Sequence, residues 1–211
     1  MANEDIYLIG ITGPTCAGKT TLLTVLQRQL NPPPTVLSFD EYDLLPSGSD
    51  AMIRQLTDPT ITCWEDPALF DIEAFVADLK RLKAGEPVEL QTRSRESMAV
   101  GETRRVLTPG QLTIVEGIFT LHDPRARALF DLKVFINIDD ATMLRRRLAR
   151  TPAKSTDPWD QRSYILGDMV IGTHRHVMPQ LPYADIILNG LRPTEEQAVR
   201  LISEIDRRGL R

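Results

Sequence analysis

The segment that most constrains this chain is a glycine-containing loop between two apolar runs of different period, Gly13-Pro14-Thr15-Cys16-Ala17-Gly18-Lys19-Thr20. Residues 6–11, which precede the loop, form a continuous apolar run that is typical of a short strand buried on both faces. After the loop, apolar residues recur at helical spacing, at Leu22, Leu23, Val25, Leu26 and Leu30. The pattern G-x-x-x-x-G-K-T between a strand and a helix indicates a phosphate-binding loop.

Each residue type in this loop has a chemical reason to be there. Gly13 and Gly18 permit backbone angles that let successive N–H groups point at phosphate oxygens. Lys19 supplies positive charge to the β- and γ-phosphates, and Thr20 supplies a hydroxyl to Mg²⁺. The helix N-terminus adds a favourable field. We therefore expect ATP and Mg²⁺ as cofactors, with a nucleotide-binding set made of Gly13, Thr15, Ala17, Gly18, Lys19, Thr20 and Thr21.

Length and charge limit the classes of protein that this chain can represent. Its 211 residues are enough for one α/β domain with a buried core, so a single domain over residues 1–211 is expected. The net charge of -4 argues against a general nucleic-acid binder. The N-terminus lacks the pattern of a signal peptide, and no apolar run approaches ~20 residues. We expect a cytoplasmic protein that binds neither nucleic acid nor a membrane. The sequence is compatible with a homo-oligomer as well as with a monomer.

Two acidic residues follow predicted strands. Asp40 comes after the apolar segment 35–39, and Glu116 lies near the end of the apolar segment 111–118. In open α/β sheets, ligands bind outside the carboxyl ends of the strands, which places both acids on the rim of the phosphate loop. Asp40 can accept a proton from an attacking hydroxyl or help to hold Mg²⁺, and Glu116 is suited to Mg²⁺-bound water. A turn-capping role is the alternative for Asp40.

The middle of the chain contains candidates for acceptor binding. Trp64 beside Glu65 and Asp66 combines an aromatic ring with hydrogen-bond acceptors, although Trp64 can equally fill a gap in the core. Asp71 predicts the N-cap of a helix that ends near Lys83, and a shorter helix is expected near 50–57. Residues 86–108 predict a hairpin insertion whose arginines, Arg93 among them, either wall the acceptor site or form a solvated flap.

The C-terminal third predicts a lid and further α/β elements. Residues 132–138 predict a strand and 140–150 a helix, from which a polar lid over about 146–160 continues. Arg146 and Arg150 point away from the apolar face of that helix, so they either reach the phosphates or are solvated. A long helix over 159–178 is predicted to end at Pro179, and Thr194 is predicted to cap a last helix.

Metal binding other than Mg²⁺ is not expected from local spacing. Cys16 and Cys63 show no metal-ligand spacing, and they are expected to be reduced thiols. His174 and His176, at i and i+2, do not share a helix face, so the pair does not predict a zinc site.

Several of these segments resemble, in order, the uridine kinase branch of the P-loop kinases, which includes phosphoribulokinase, bacterial pantothenate kinase and the nicotinamide riboside kinases. The segments that carry the resemblance are residues 13–21, Ser38-Phe39-Asp40-Glu41-Tyr42, Trp64-Glu65-Asp66-Pro67-Ala68-Leu69-Phe70-Asp71, Ile114-Val115-Glu116-Gly117-Ile118, residues 145–150 and Ala184-Asp185-Ile186-Ile187. The resemblance implies a three-layer P-loop NTPase sandwich with a mostly parallel sheet, a small acceptor-side hairpin and a lid.

The same resemblance implies roles for individual residues. Asp40 would be the general base, Glu65 would accept hydrogen bonds from ribose hydroxyls, Glu116 would lie near Mg²⁺, and Arg146 and Arg150 would be lid groups. The expected acceptor contacts are Asp40, Tyr42, Trp64, Glu65, Asp66 and Arg93.

The sequence also departs from the uridine kinase pattern. Residues 90–92 lack the base-contacting aromatic, and residues 151–158 stand where a Glu-Arg-Gly lid motif is usual. Uridine or cytidine is the first acceptor to expect, nicotinamide riboside the second and a sugar or polyol the third. A regulatory ATPase acting on a protein partner is the alternative from another class.

Overall fold

A computed structural model describes most of the chain, namely residues 5–44, 57–61, 63, 65–91, 104–150 and 169–211. Several predictions fall outside these ranges. They are the shorter helix near 50–57 apart from its last residue, the side chains of Trp64 and Arg93, the lid beyond Arg150 and the first part of the helix predicted over 159–178.

The centre of the molecule is a five-stranded parallel sheet. Its strands are β1 (Tyr7–Thr12), β2 (Thr35–Ser38), β5 (Leu112–Glu116), β6 (Leu132–Asn137) and β7 (Ile186–Asn189). They lie in the order β2-β5-β1-β6-β7, so β1 pairs with β5 on one side and with β6 on the other, as a continuous apolar run buried on both faces predicts. The predicted mostly parallel α/β sheet is thus confirmed.

Helices cover both faces of the sheet. One apolar core contains Ile9 and Ile11 of β1 and packs against the first, third and fourth helices. The other core contains Leu8 of β1 and packs against the second helix. This alternation along one strand follows from the two-residue period of β-structure. The four longer helices are α1 (Lys19–Gln29), α2 (Ile72–Lys83), α3 (Asp140–Arg150) and α4 (Thr194–Arg207). A short helix spans Pro124–Arg127.

The start of α2 and the predicted hairpin agree with the sequence. The Asp71 side chain accepts a hydrogen bond from the backbone N–H of Ala74 at 3.0 Å, which is the capping contact expected at a helix N-terminus. Strands β3 (Val88–Leu90) and β4 (Arg105–Leu107) pair antiparallel in a separate two-stranded sheet. The connection between them, residues 92–103, lies outside the described residues.

Two predictions for the C-terminal region are wrong. A helical segment continues past Pro179, with α-helical geometry at Val170–Gly172, π-helical geometry at Thr173–Val177 and 3-10 geometry at Met178–Tyr183. Pro179 is tolerated because it lies in the first turn of the 3-10 segment, where its missing N–H is not needed. Thr194 does not cap α4 but is its first residue, after Pro193.

Within the described part of the chain, no helix combines the length and the apolar character that crossing a bilayer requires.

Candidate active site

The phosphate loop joins β1 to α1 in the conformation that its glycines allow. Gly13 has φ 145°, and a Cβ atom there would lie 2.3 Å from the carbonyl oxygen of Ile136 on β6. Gly18 has φ 102° directly before the first residue of α1. Cys16 between them also has a positive φ, 60°. The loop therefore needs glycine at position 13 for close approach to β6 and at position 18 for its backbone angle.

The N-terminus of α1 faces the loop interior. Its first amides, at Lys19, Thr20 and Thr21, have no acceptor within the helix, as is true of every helix start. Thr20 and Thr21 are exposed, whereas Ala17 is buried in the core beneath the loop. Loop amides and the helix N-terminus together form an anion-binding concavity.

Lys19 is the buried positive charge of the loop. Its side chain is 8% exposed, and Nζ donates hydrogen bonds to the carbonyl oxygens of Gly13 at 2.9 Å and Pro14 at 3.1 Å. Burial lowers the pKa of Lys19, and the negative charges of Glu116, Asp40 and Glu65 oppose this shift. Three acids predicted for the site therefore lie within electrostatic range of the same ammonium group.

A cleft of about 150 Å³ opens beside Lys19 at the carboxyl ends of the parallel strands. Its lining combines the phosphate loop, both strand-end acids and one arginine of α3: Thr15, Cys16, Gly18, Lys19, Thr20, Asp40, Glu116, Gly117, Ile118 and Arg150. Sequence reasoning placed Asp40 and Glu116 on this rim, and the structure brings them together there.

Ser38 links the two acids, and sequence reasoning missed it. It is the last residue of β2, and its hydroxyl donates to Glu116 Oε1 at 3.4 Å. The same Oγ accepts the backbone N–H of Asp40 at 3.3 Å, which caps the 3-10 turn Phe39–Tyr42. A serine two residues before a strand-end acid is the sequence signal that could have indicated this cap.

Two side-chain contacts hold the 3-10 turn that carries Asp40. Glu41 is buried, and its Oε1 accepts a hydrogen bond from Arg105 Nη2 of β4 at 3.1 Å. The Tyr42 hydroxyl donates to Asp78 Oδ2 of α2 at 2.9 Å, and Tyr42 is 5% exposed. The Tyr42 ring also packs against Phe75. Tyr42, predicted as an acceptor contact, lies in the core, while its neighbour Asp40 is exposed to the cleft.

The two lid arginines have different positions. Arg150 lines the cleft, in agreement with its predicted location. Arg146 does not point toward solvent or line the cleft, because its guanidinium donates to the carbonyl oxygens of Cys16 at 3.1 Å and Gly190 at 2.8 Å. Arg146 thus braces the outside of the phosphate loop.

Glu65 and Asp66, the predicted acceptor-binding acids, are both buried. Glu65 lies close enough to Lys19 to raise its pKa. Asp66 Oδ1 accepts the N–H of Ala68 at 3.0 Å and caps a second 3-10 turn, Pro67–Leu69. Trp64 and Arg93 belong to the residues that the structure does not describe.

The donor set fits the cofactors that the sequence predicts. A hydroxyl at Thr20 and carboxylates at Glu116 and Asp40 line one cleft and are oxygen ligands of the kind that Mg²⁺ prefers. A lysine and helix-start amides on the same cleft match the negative charge of a triphosphate.

Comparison with known proteins agrees with this geometry. The sequence pattern of the Phosphoribulokinase / Uridine kinase family matches residues 8–196. The uridine kinase of Streptococcus gordonii is 28% identical over 190 residues, covering 89% of this chain and 88% of that protein. Uridine kinase-like protein 5 of Arabidopsis thaliana is 26% identical over 188 residues. That match covers 86% of this chain, which spans only 38% of the plant protein.

A solved structure shows the same fold. A protein provisionally described as a fructose transport system kinase, from Silicibacter sp. TM1040, superposes with a TM-score of 0.64 at 20% identity. The superposition covers 82% of this chain and 85% of the other. Because the family pattern spans nearly the whole chain, this protein belongs to the phosphoribulokinase and uridine kinase family, and it is a phosphotransferase that acts on an alcohol group.

Proposed function

We propose that this protein transfers the γ-phosphate of ATP to a hydroxyl group of a nucleoside-like acceptor, with uridine or cytidine first among the candidates. The observation that carries the proposal is the convergence of Lys19, Asp40 and Glu116 on one cleft. A phosphate-binding loop alone is equally suited to ATP hydrolysis. Transfer to an acceptor additionally requires a group that takes the proton of the attacking hydroxyl, and a carboxylate opposite the loop can do this.

Asp40 is the proposed general base. It is exposed to the cleft, while the capping bond from its own N–H to Ser38 and the anchored side chains of Glu41 and Tyr42 fix the turn beneath it. A carboxylate held in this way can accept the proton of a hydroxyl that approaches the γ-phosphate.

Positive charge on the opposite side of the cleft stabilises the transferring group. Lys19 is already desolvated and surrounded by acids, so moving its ammonium from two carbonyl oxygens to phosphate oxygens replaces neutral acceptors with charged ones. Arg150 adds a second positive group on the cleft wall. When bound, Mg²⁺ neutralises phosphate charge, and Thr20 and Glu116 are the residues proposed to hold it.

Acceptor recognition is proposed for Glu65, whose carboxylate is a hydrogen-bond acceptor for vicinal hydroxyls of a ribose. Its support is its burial near Lys19 and the match of residues 64–71 to the uridine kinase pattern. The relatives named uridine kinase that are compared with this chain are 27–28% identical to it, which supports a nucleoside ahead of other acceptors.

The test is ADP release by the purified full chain with ATP and Mg²⁺, measured without acceptor and then with uridine, cytidine, nicotinamide riboside and simple sugars. We expect turnover that depends on a nucleoside and a phosphorylated product. Lys19→Ala should abolish turnover, whereas Lys80→Ala, which removes an exposed lysine of α2, should not. ADP release that no small acceptor changes and that rises only with a protein would replace the proposal with a regulatory ATPase.

A further inference from the structure

Three potential metal ligands lie together outside the nucleotide cleft. They are Cys63, Asp66 and His176. One ligand atom of each, a sulfur, a carboxylate oxygen and an imidazole nitrogen, lies within 4.8 Å of the others. Cys63 and Asp66 are buried, and His176 is half-buried. The cluster is therefore assembled inside the protein, unlike a chance group of surface acids.

Gly172 brings the two contributing segments close together. A Cβ atom at position 172 would lie 2.7 Å from the Cβ of Glu65 and 3.2 Å from Cys63 Sγ. Residues 63–66 thus rest directly on the backbone of the helical segment, and His176 follows Gly172 by about one turn. A Cβ at position 172 would therefore force residues 63–66 and the helical segment to shift relative to each other.

The Asp66 carboxylate is already oriented toward His176. Its Oδ1 is engaged by the N–H of Ala68, and its Oδ2 lies 3.7 Å from His176 Nε2. That separation is too long for a hydrogen bond. It is close to the distance between two ligand atoms that share a tetrahedral ion, given metal–ligand distances of about 2.0–2.1 Å.

The imidazole nitrogen lacks an alternative partner. His176 Nε2 is buried and has no hydrogen bond within the part of the chain that the structure describes. Buried polar atoms are nearly always satisfied, so an orphaned nitrogen that faces a carboxylate and a thiol needs an explanation. Both cysteines of the sequence are described, and neither forms a disulfide.

We propose that Cys63, Asp66 and His176 form a binding site for one Zn²⁺ ion, with water in the fourth position. Thiolate, carboxylate and imidazole are the side chains that zinc binds, and three protein ligands with one open position is a common zinc coordination. None of these three residues lines the cleft proposed to hold Mg²⁺, for which the candidate ligands are the oxygen donors Thr20, Glu116 and Asp40. Zinc binding releases the Cys63 thiol proton, so affinity falls as pH falls.

The first experiment uses the full chain, stripped of metal by a chelator and then titrated with ZnCl₂ alone in a calorimeter. We expect about one equivalent of tightly bound zinc per chain and a Tm that rises with zinc concentration, because the ion binds the folded state. Replacing zinc with Co²⁺ should produce a sulfur-to-metal charge-transfer absorption, which reports thiolate ligation directly.

Single-ligand variants assign the site. Cys63→Ser, Asp66→Asn and His176→Gln should each weaken zinc binding by at least ~10-fold, and Cys63→Ser should remove the Co²⁺ charge-transfer band. The chain offers matched controls in Cys16→Ser and His174→Gln. Cys16 lies in the phosphate loop and His174 pairs with Asp140 on the surface, so both should retain wild-type stoichiometry.

Circular dichroism of each metal-free variant separates lost ligation from lost folding, and the wild-type titration does not depend on any variant. The proposal is overturned if the folded wild-type chain takes up no zinc, or if all three ligand variants bind it as the wild type does. Neither result bears on phosphoryl transfer, because no assay here reads turnover.

Discussion

At the scale of single residues, the two groups proposed to carry the chemistry, Lys19 and Asp40, occupy opposite environments. Lys19 is desolvated among carbonyl groups and acids, while Asp40 is exposed at the end of β2. The pair therefore combines a positive charge whose field is little screened with a solvent-exposed carboxylate, as the proposed roles require.

The lowered pKa of Lys19 predicts an alkaline limit to activity. Because burial favours the neutral amine, the free enzyme loses this proton below the ordinary lysine value of 10.5. We expect kcat/KM for ATP to fall as pH rises toward that value, since kcat/KM reports groups of the enzyme form that ATP meets, in which Lys19 is not yet bound to phosphate. A pH profile of kcat/KM for ATP, measured at saturating acceptor, checks this, and a profile that is flat up to pH 10.5 would contradict it.

Asp40→Asn separates base catalysis from nucleotide binding. The amide keeps the size of the side chain but cannot accept the proton, so kcat should fall by ~10²-fold or more while ATP affinity changes little. Equilibrium binding of ATP, measured beside steady-state turnover, distinguishes the two effects. An equal loss of affinity would instead make Asp40 a ligand of the metal or a structural group. Glu116→Gln serves as the comparison for metal binding.

At the scale of elements, the 3-10 turn Phe39–Tyr42 positions Asp40, the proposed base. Glu41 ties it to the hairpin through Arg105, Tyr42 ties it to α2 through Asp78, and Ser38 caps its start. Burial and the neighbouring Asp78 charge raise the pKa of Tyr42, so this hydroxyl stays protonated and remains a donor. The turn is thus held by three different elements of the fold.

Arg105→Ala tests whether the hairpin supports catalysis. The substitution leaves the buried Glu41 carboxylate without its cation, so the free energy of unfolding should fall by about 1–3 kcal/mol, and kcat should fall because the turn carrying Asp40 loosens. Urea unfolding and turnover measure the two effects.

Adding Glu41→Gln to Arg105→Ala removes the stranded charge, so the double variant should regain part of the stability. Unchanged stability in the single variant would show that the ion pair contributes nothing.

At the scale of the whole molecule, Gln180 connects the sheet to the C-terminal helical segment. It is 1% exposed and uses both ends of its amide. Its Nε2 donates to the carbonyl oxygens of Ile118 at 2.7 Å and His176 at 3.0 Å. Its Oε1 accepts from the N–H of Leu121 at 2.9 Å and from Thr12 Oγ1 at 3.2 Å. One side chain thereby satisfies buried groups of β1, of the segment after β5 and of the helical segment.

Gln180→Leu should destabilise the chain more than its size change suggests. Leucine leaves the buried N–H of Leu121 without its acceptor and removes one donor from each of the carbonyl oxygens of Ile118 and His176. These losses predict a decrease of about 2–4 kcal/mol in the free energy of unfolding. Chemical denaturation measures this. Gln197→Leu is a matched control, because the Gln197 side chain donates only to the carbonyl of Arg192 and its Oε1 has no partner among the described residues. Equal decreases in the free energy of unfolding for both variants would contradict a special role of the Gln180 hydrogen bonds.

The sequence by itself determined the features that depend on local spacing. The parallel strands and the hairpin follow from the period of the apolar residues. The phosphate loop follows from its glycines, and the Asp71 cap follows from the capping preference of aspartate. The rim position of Asp40 and Glu116 follows from their place at the ends of strands.

The tertiary structure alone decided contacts between distant segments. It turned Tyr42 into the core, placed Arg146 against the phosphate loop and joined Cys63 and Asp66 to His176. No spacing rule encodes these contacts, since the direction of a side chain at the end of an element depends on which other element packs beside it.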